Sequence, residues 1–416
     1  MNDITDLLKK AKEASKILAL TPEIEINKVL TTLSNSLKVR QQSILEANKL
    51  DLKKMDESNP LYDRLKLTSS RIEGISEALR EVADLPSPLG EVMEERVLPN
   101  GIELSKVRVP FGVVGVVYEA RPNVTIDVFA LCLKSGNACV LKGGSDADNT
   151  NQILISLIHD ALKECGLPED CCVLLPATHE STRQLLGAVG YVDVCIPRGG
   201  RSLINFVRDN AKVPVIETGA GVVHTYFDKE GDIEIGKKVI DNGKTRRVSV
   251  CNALDTLLIH RDRLPVLPQL TEVLAKKGVA LHVDPQAFEA LEGKYPSDLL
   301  IHADTADKDK EWMDMILGIY TVESVEDAIA HISLHGSGHS ESIVTENQDI
   351  AGLFTKQVDA ACVYVNLPTS FTDGGEFGLG AEIGISTQKL GPRGPMGLKE
   401  ITTYKYILNG EGQTRP

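Results

Sequence analysis

Between Val113 and Gly221 the chain repeats one pattern, and that pattern leaves few folds open. Five short apolar runs, GVVGVVYEA, NACVLKGG, CCVLLPA, VDVCIPRGG and VPVIETGAG, lack any alternation of apolar and polar residues. A strand with one wet face alternates with period two, whereas a run apolar throughout must be buried on both faces. Between the runs lie segments of helical period: VTIDVFALCLKSG, ADNTNQILISLIHDALKECG, HESTRQLLGAVG and RSLINFVRDNA. Strands buried on both faces, alternating with helices, predict a doubly wound parallel sheet.

The flanks extend this α/β reading. Ile4, Leu7, Leu8, Ala11, Ala14 and Leu18 recur at helical spacing, and helical patterns continue as far as the turn-rich LPSPLG. Residues 93–110 predict a hairpin, two short alternating runs around Pro99-Asn100-Gly101. After Gly221 a second α/β region offers strands at VVHTYFD, TLLIH, MILGIYTV, SESIVT and CVYVNLP, with helices at 232–242, 265–277, 324–334 and 347–357. The glycine-rich segment 370–397 reads as a loop whose backbone can lie close to a ligand.

Composition narrows the function classes. The 416 residues carry a net charge of −14 and only 4% aromatics, which argues against nucleic acid as the main partner. Any anionic ligand must then be held by local positive charge. No stretch approaches the roughly 20 apolar residues of a membrane helix, and the charged N-terminus lacks a signal-peptide core. A soluble, cytoplasmic protein with reduced thiols is expected. Cys171 and Cys172 are adjacent and no CxxC occurs, so neither a disulfide framework nor a zinc site is indicated. His331, His335 and His339 have i, i+4, i+8 spacing, but the glycines of HGSGH break the helix that a metal site would need.

One thiol stands apart. In KTRRVSVCNALDTLLIH the cations Lys244, Arg246 and Arg247 precede Cys251, while most other cysteines sit in apolar runs. Nearby cations lower a thiol's pKa, and the thiolate is the nucleophile. On the residues alone, a small buried cysteine behind a solvated basic face remains the competing reading. Gly199, Gly200 and Ser202 mark a strand-to-helix turn suited to a pyrophosphate, although no GxGxxG follows the first strand.

RPNV at 121–124, VLKGGSDA at 140–147, IPRGG at 196–200, PVIETGAG at 214–221 and NGKTRRVSVCNALDTLL at 242–258 occur in a telling order. With HGSGHSESIVTEN at 335–347 and GAEIGISTQKLGPRGPMGLKEITTYKY at 380–406, the chain resembles the aldehyde dehydrogenase superfamily over nearly its whole length. Within it the likeness is to the branch that reduces L-glutamyl 5-phosphate with NADPH, the second step of proline biosynthesis.

The resemblance implies an α/β fold of two domains, with an NADPH-binding domain at 1–92 and 111–220 and a catalytic domain at 221–398. It implies oligomerisation elements at 93–110 and 399–416, hence a homo-oligomer, and functional coupling to glutamate 5-kinase. By the same resemblance Cys251 is the nucleophile, and Asn123 joins the cysteine N–H in an oxyanion hole. Lys142 meets the adenosine ribose or its 2′-phosphate, and Ser145, Gly199, Gly200 and Ser202 are expected at the cofactor. Glu217 matches the hydrolytic base of oxidising members; a reductase of acyl phosphates has no hydrolysis to perform, so a nicotinamide-side positioning role is expected. Glu311 falls near the glutamate that grips the nicotinamide ribose. Lys244, Arg246 and Arg247 are the candidates for the substrate phosphate.

Overall fold

Four of the five unalternating runs become strands buried at nearly every position in a computed structural model that describes residues 4–415 apart from 58 and 60. Residues 1–3 and 416 of the expected domain spans lie outside the described residues. The strands are β3 (Val113–Tyr118), β4 (Ala138–Lys142), β5 (Cys172–Leu174) and β6 (Val194–Arg198), all parallel in the order β5-β4-β3-β6. The fifth run is corrected by the structure. It forms only an isolated bridge, Cys195 to Val215, because Pro214 has no N–H to offer a ladder.

The chain divides into two compact units, Met1–Thr218 with Gly378–Gly384 and Pro395–Pro416, and Gly219–Phe377 with Ile385–Gly394. The first boundary lies two residues before the expected one at 220/221. The expected catalytic span 221–398 also cedes 378–384 and 395–398 to the first unit.

Unit 1 begins with the helices α1 (Thr5–Leu18), α2 (Glu23–Val39), α3 (Gln41–Leu52), α4 (Tyr62–Leu65) and α5 (Ser69–Asp84). The periodic Leu8, Ala11, Ala14 and Leu18 of α1 are all buried in one core with the sheet residues. The hairpin β1 (Val92–Val97) and β2 (Glu103–Pro110) gains a third antiparallel strand, Thr402–Asn409, on β2. Crossover helices α6 (Asn123–Lys134), α7 (Asp148–Glu164) and α8 (His179–Leu186) join the parallel strands, and α9 (Arg201–Asn210) follows β6.

Unit 2 holds a seven-stranded sheet in the order β10-β9-β11-β8-β7-β12-β13, with all neighbours parallel. Its strands are β7 (His224–Phe227), β8 (Thr256–His260), β9 (Ala280–Val283), β10 (Leu300–His302), β11 (Ile316–Val322), β12 (Ser340–Val344) and β13 (Cys362–Val365). Alternate residues of β8 enter different cores: Leu257 and Ile259 meet one, Leu258 the other. The first core packs against α10 (Ile233–Thr245), α11 (Leu267–Lys276) and α12 (Pro285–Leu291); the second against α13 (Val325–His335) and α14 (Gln348–Gln357). The sequence reading lacked β9 and β10, which are four and three residues long and carry polar His282 and His302.

One buried carboxylate ties the N-terminal helices to the start of α7. Asp51, on α3, accepts hydrogen bonds from the backbone N–H of Asn149 and Thr150 and from both their side chains, at 2.7–3.2 Å. It thus caps the first turn of α7 from another helix. Burial alone would raise its pKa, but the hydrogen bonds from Thr150 and Asn149 and the Lys54 contact outweigh it and hold the carboxyl below its usual range. A carboxyl depressed in the folded state stabilises above its unfolded pKa and loses that contribution as pH falls. Asp51→Asn is therefore expected to lose about 2 kcal/mol in denaturant unfolding at pH 7. The gap to the parent should narrow below about pH 4. An unchanged midpoint at pH 7 would remove Asp51 from the supports of this fold.

Candidate active site

In unit 1 the strand ends gather around a cavity of about 490 Å³. Tyr118 and Glu119 line it from the end of β3, Lys142 from β4, Gly144, Ser145 and Asp146 from the turn that follows, and Ser202 and Phe206 from α9. The chain leaves β3 toward β4 while β6 lies on the other side of β3, so this edge contains the point where strand order reverses. Three residues expected at a cofactor, Lys142, Ser145 and Ser202, therefore share one cavity.

Lys142 is 9% exposed; burial pushes its ammonium pKa down, and Asp146 and Glu119 oppose that shift. Gly200 is the N-cap of α9, and its N–H donates to Glu119 Oε2 at 3.1 Å. A Cβ at Gly199 would meet Glu119 Oε2 at 2.5 Å and Leu203 Cδ2 at 2.7 Å, so a side chain there would displace the ends of both. Glu119, Asp146, His179 and Phe206 were not singled out in the sequence. Only knowledge of which strand ends are neighbours would have found them.

Asn123 opens α6, after the loop that leaves β3. Its amide nitrogen donates to Asp127 Oδ2 at 2.9 Å. Burial pushes the Asp127 carboxyl up, to about 6, against the Asn123 hydrogen bond and the charge of Arg198. Glu217 lies in the same unit, with the Arg208 guanidinium 3.9 Å away.

Cys251 lies in unit 2, on the turn between α10 and β8, and neither a helix nor a strand begins at it. It and Cys165 are the two partly exposed cysteines; the other six are buried. The turn is fixed on both sides. Ala253 N donates to Val250 O, and Leu254 N to Gly243 O. The buried Asn252 side chain donates to Ser370 O and Thr372 O, at 3.3 and 3.0 Å, and Thr369 Oγ1 donates to Asn252 O at 2.8 Å. A Cβ at Gly221 would fall 1.7 Å from Cys251 O, so only glycine lets this backbone pass. Gly221 N donates in turn to Glu311 Oε1 at 3.1 Å. The structure thus brings Cys251, Gly221 and Glu311 together, with Glu311 in an irregular segment before β11.

The three cations do not form one patch. Arg246 and Arg247 are exposed, whereas Lys244 is fully buried and its Nζ has no hydrogen-bond partner among the described residues. Burial pushes the Lys244 ammonium down, and the charges of Asp255 and Asp314 oppose it. Burial likewise pushes the Asp255 carboxyl up, with Lys244 opposing. Asp255 also accepts from Trp312 N at 3.0 Å and Val223 N at 3.4 Å. Of the three candidates for the substrate phosphate, Arg246 and Arg247 thus reach solvent and Lys244 does not. Among the described residues, no group of three or more His, Cys, Asp or Glu is arranged to hold a metal. No helix of the described residues is long and apolar enough to cross a membrane.

Residues 1–290 match the model of the aldehyde dehydrogenase family. The chain is 56% identical over 414 residues to gamma-glutamyl phosphate reductase of Pelodictyon phaeoclathratiforme, covering 99% of each. It is 56% identical over 416 residues to that of Phocaeicola vulgatus, covering 100% of each. Among solved structures, gamma-glutamyl phosphate reductase of Thermotoga maritima superposes with a TM-score of 0.94 at 41% identity, over 100% of both chains. An acetylating aldehyde dehydrogenase of Geobacillus thermoglucosidasius shares the fold, with a TM-score of 0.72 at 17% identity. With its parallel sheets, its partly exposed turn cysteine and full-length identity above half, the chain belongs to the gamma-glutamyl phosphate reductases of the aldehyde dehydrogenase family.

Proposed function

We propose that the chain reduces L-glutamyl 5-phosphate to L-glutamate 5-semialdehyde with NADPH, releasing phosphate through a thioester on Cys251. The observation that carries this reading is the full-length identity to gamma-glutamyl phosphate reductases. The partly exposed thiol on a turn that Gly221 and Asn252 hold supports its chemistry.

The Cys251 thiolate attacks the acyl carbon, the carbon–oxygen bond to phosphate breaks, and a thioester remains. Phosphate is a good leaving group, so the chain's work is positioning and stabilisation of the carbonyl oxygen as it gains charge. Asn123 Nδ2 and the Cys251 N–H are the donors we assign to that oxygen. NADPH, when bound, supplies the hydride. In this reading Lys142, Ser145 and Ser202 hold it in the unit 1 cavity, with the Lys142 ammonium suited to a 2′-phosphate. Collapse of the thiohemiacetal returns the thiolate and frees the aldehyde. Glu217 and Glu311 serve position in this scheme. Glu311 does so through Gly221.

The departing phosphate is received by Arg246 and Arg247, whose planar forks suit it. In the reverse reaction, Arg246→Ala and Arg247→Ala should each raise the KM for phosphate about tenfold, the loss of one charge-assisted hydrogen bond. Parental values in both would return the pair to the role of a solvated face. Semialdehyde, phosphate and NADP together should support NADP reduction that Cys251→Ala abolishes. Turnover with coenzyme A or water in place of phosphate would instead assign the chain to another branch of the family. Gly221→Ala, which drives a methyl group into the Cys251 carbonyl, should lower kcat by about 100-fold. Parental turnover in that variant would show that the turn has room.

The hairpin sheet supports a homo-oligomer, at least a dimer, because Val92, Met93, Val97, Tyr404, Tyr406 and Leu408 are exposed on β1 and the C-terminal strand. Light scattering at micromolar concentration is expected to give a mass above that of one chain, and a clean monomer would overturn this.

A further inference from the structure

A backbone N–H has one proton to give. At the start of α9 that proton, on Gly200, goes to Glu119 Oε2 at 3.1 Å. The same turn is suited to a diphosphate, which would sit on the N–H groups and positive end of a ten-residue helix. Glu119 also fills the space over the turn, since its Oε2 lies 2.5 Å from the point that a Cβ on Gly199 would occupy. A phosphate oxygen must therefore compete with the Glu119 carboxylate for this N–H.

The cavity has a second group that calls for an anion. Lys142 lines it and is 9% exposed, and among the described residues its ammonium has no hydrogen bond or ion pair. Asp146 and Glu119 act on that ammonium through their charge alone. Two carboxylates thus share the cavity with one ammonium, an unfavourable balance for a ligand that is itself negative.

Of this segment, the carboxylate is the part that can move. Tyr118 is buried and its hydroxyl pairs with Thr125 Oγ1 at 2.8 Å. Glu119 N donates to Arg198 O at 3.2 Å. Ala120 is 1% exposed with φ of +37°, a strained conformation for a residue with a Cβ. The backbone is fixed on both sides, whereas the Glu119 side chain is partly exposed and can change rotamer.

We propose that Glu119 sets the affinity for the dinucleotide: its carboxylate takes the diphosphate's place at the start of α9 and is displaced when NADPH binds. The proposal rests on the assignment of the cofactor to the unit 1 cavity. Part of the binding free energy then goes into moving Glu119. Its return to Gly200 N favours release of the spent nucleotide.

The test is titration of the full-length protein with NADPH and with NADH, followed by nucleotide fluorescence, alongside thermal unfolding. Glu119→Gln keeps the shape and a hydrogen-bond acceptor but loses the charge. Its Kd should fall about tenfold for both nucleotides, because the diphosphate is common to them. Without nucleotide the variant should melt about 2 °C below the parent, having lost an anion at a helix start. At an NADPH concentration well above both Kd values that order should reverse, which a helix cap alone would not produce. Glu119→Ala should tighten both nucleotides to the same degree, so the result does not depend on one variant folding.

Weaker binding in Glu119→Gln would make Glu119 a ligand of the nucleotide. Parental affinity with a lowered melting temperature would make it a helix cap only. Tightening confined to NADPH would mean that the charge acts on the 2′-phosphate through Lys142. Each of these results overturns the proposal. Lys142→Ala should weaken NADPH binding about tenfold. Parental affinity in that variant would remove the cofactor from this cavity, a different result from failure of Glu119 alone.

Discussion

Parallel pairing is the constraint on which the rest of this structure depends. Parallel neighbours cannot be joined by a hairpin, so the chain must leave each strand at one edge of the sheet and re-enter from the other. The two edges offer opposite backbone chemistry. Where strands end, loops and helix starts collect, and unit 1 gathers Glu119, Lys142, Ser145 and Ser202 there. Where strands begin, backbone N–H groups await acceptors. Unit 2 places its thiol on this second edge, since Cys251 precedes β8, Gly221 precedes β7 and Glu311 precedes β11.

That edge accounts for three acids of unit 2, Asp255 and Glu341 buried and Glu311 partly buried. Gly221 N donates to Glu311, Val223 N and Trp312 N to Asp255, and His224 N to Glu341. Each carboxylate satisfies N–H groups close to where a strand begins. Burial raises the carboxyls of Asp255 and Glu341, and each has a basic neighbour that opposes the shift: Lys244 for one, His224 for the other. Lys244 therefore belongs to the support of the turn. Its position in KTRRVS, next to two exposed arginines, conceals a different physical task.

Much of this was legible in the sequence, for a physical reason that also explains what was missed. The runs that became β3, β4 and β6 declare burial on both faces by themselves, and the helices between them declare their period. Cys251 was marked by its polar approach and Ser202 by its strand-to-helix turn, whereas Lys142 and Ser145 were expected from the family resemblance. VPVIE was read as a strand from its apolarity, but Pro214 limits it to a bridge. The acceptors of the strand-entry N–H groups were not legible, because Gly221 and Glu311 are 90 residues apart and His224 and Glu341 are 117 apart. No local pattern encodes such a partner. Asp127 was closer at hand, four residues from Asn123, but a helix surface is full of i, i+4 neighbours and only geometry shows which one bonds.

The glycines make the same point about apparent meaning. A glycine-rich stretch suggests backbone lying against a ligand, and 370–397 was read that way. The observed close approaches are to the protein's own chain. A Cβ at Gly384 would meet Thr218 Cγ2 at 2.7 Å, and one at Gly219 would meet Thr387 Cγ2 at 2.3 Å. Gly221, outside that stretch and in the less conspicuous ETGAG, has the tightest approach of the three, against the carbonyl of Cys251. The missing side chains make room for threonine methyls at Gly384 and Gly219 and for a backbone carbonyl at Gly221, and it is the last of these that bears on where Cys251 sits. A cationic approach can lower a thiol's pKa from many directions, but an attacking sulfur needs one position. In this fold the position is set by a glycine, a buried asparagine and a carboxylate, none of them a charge on the thiol itself.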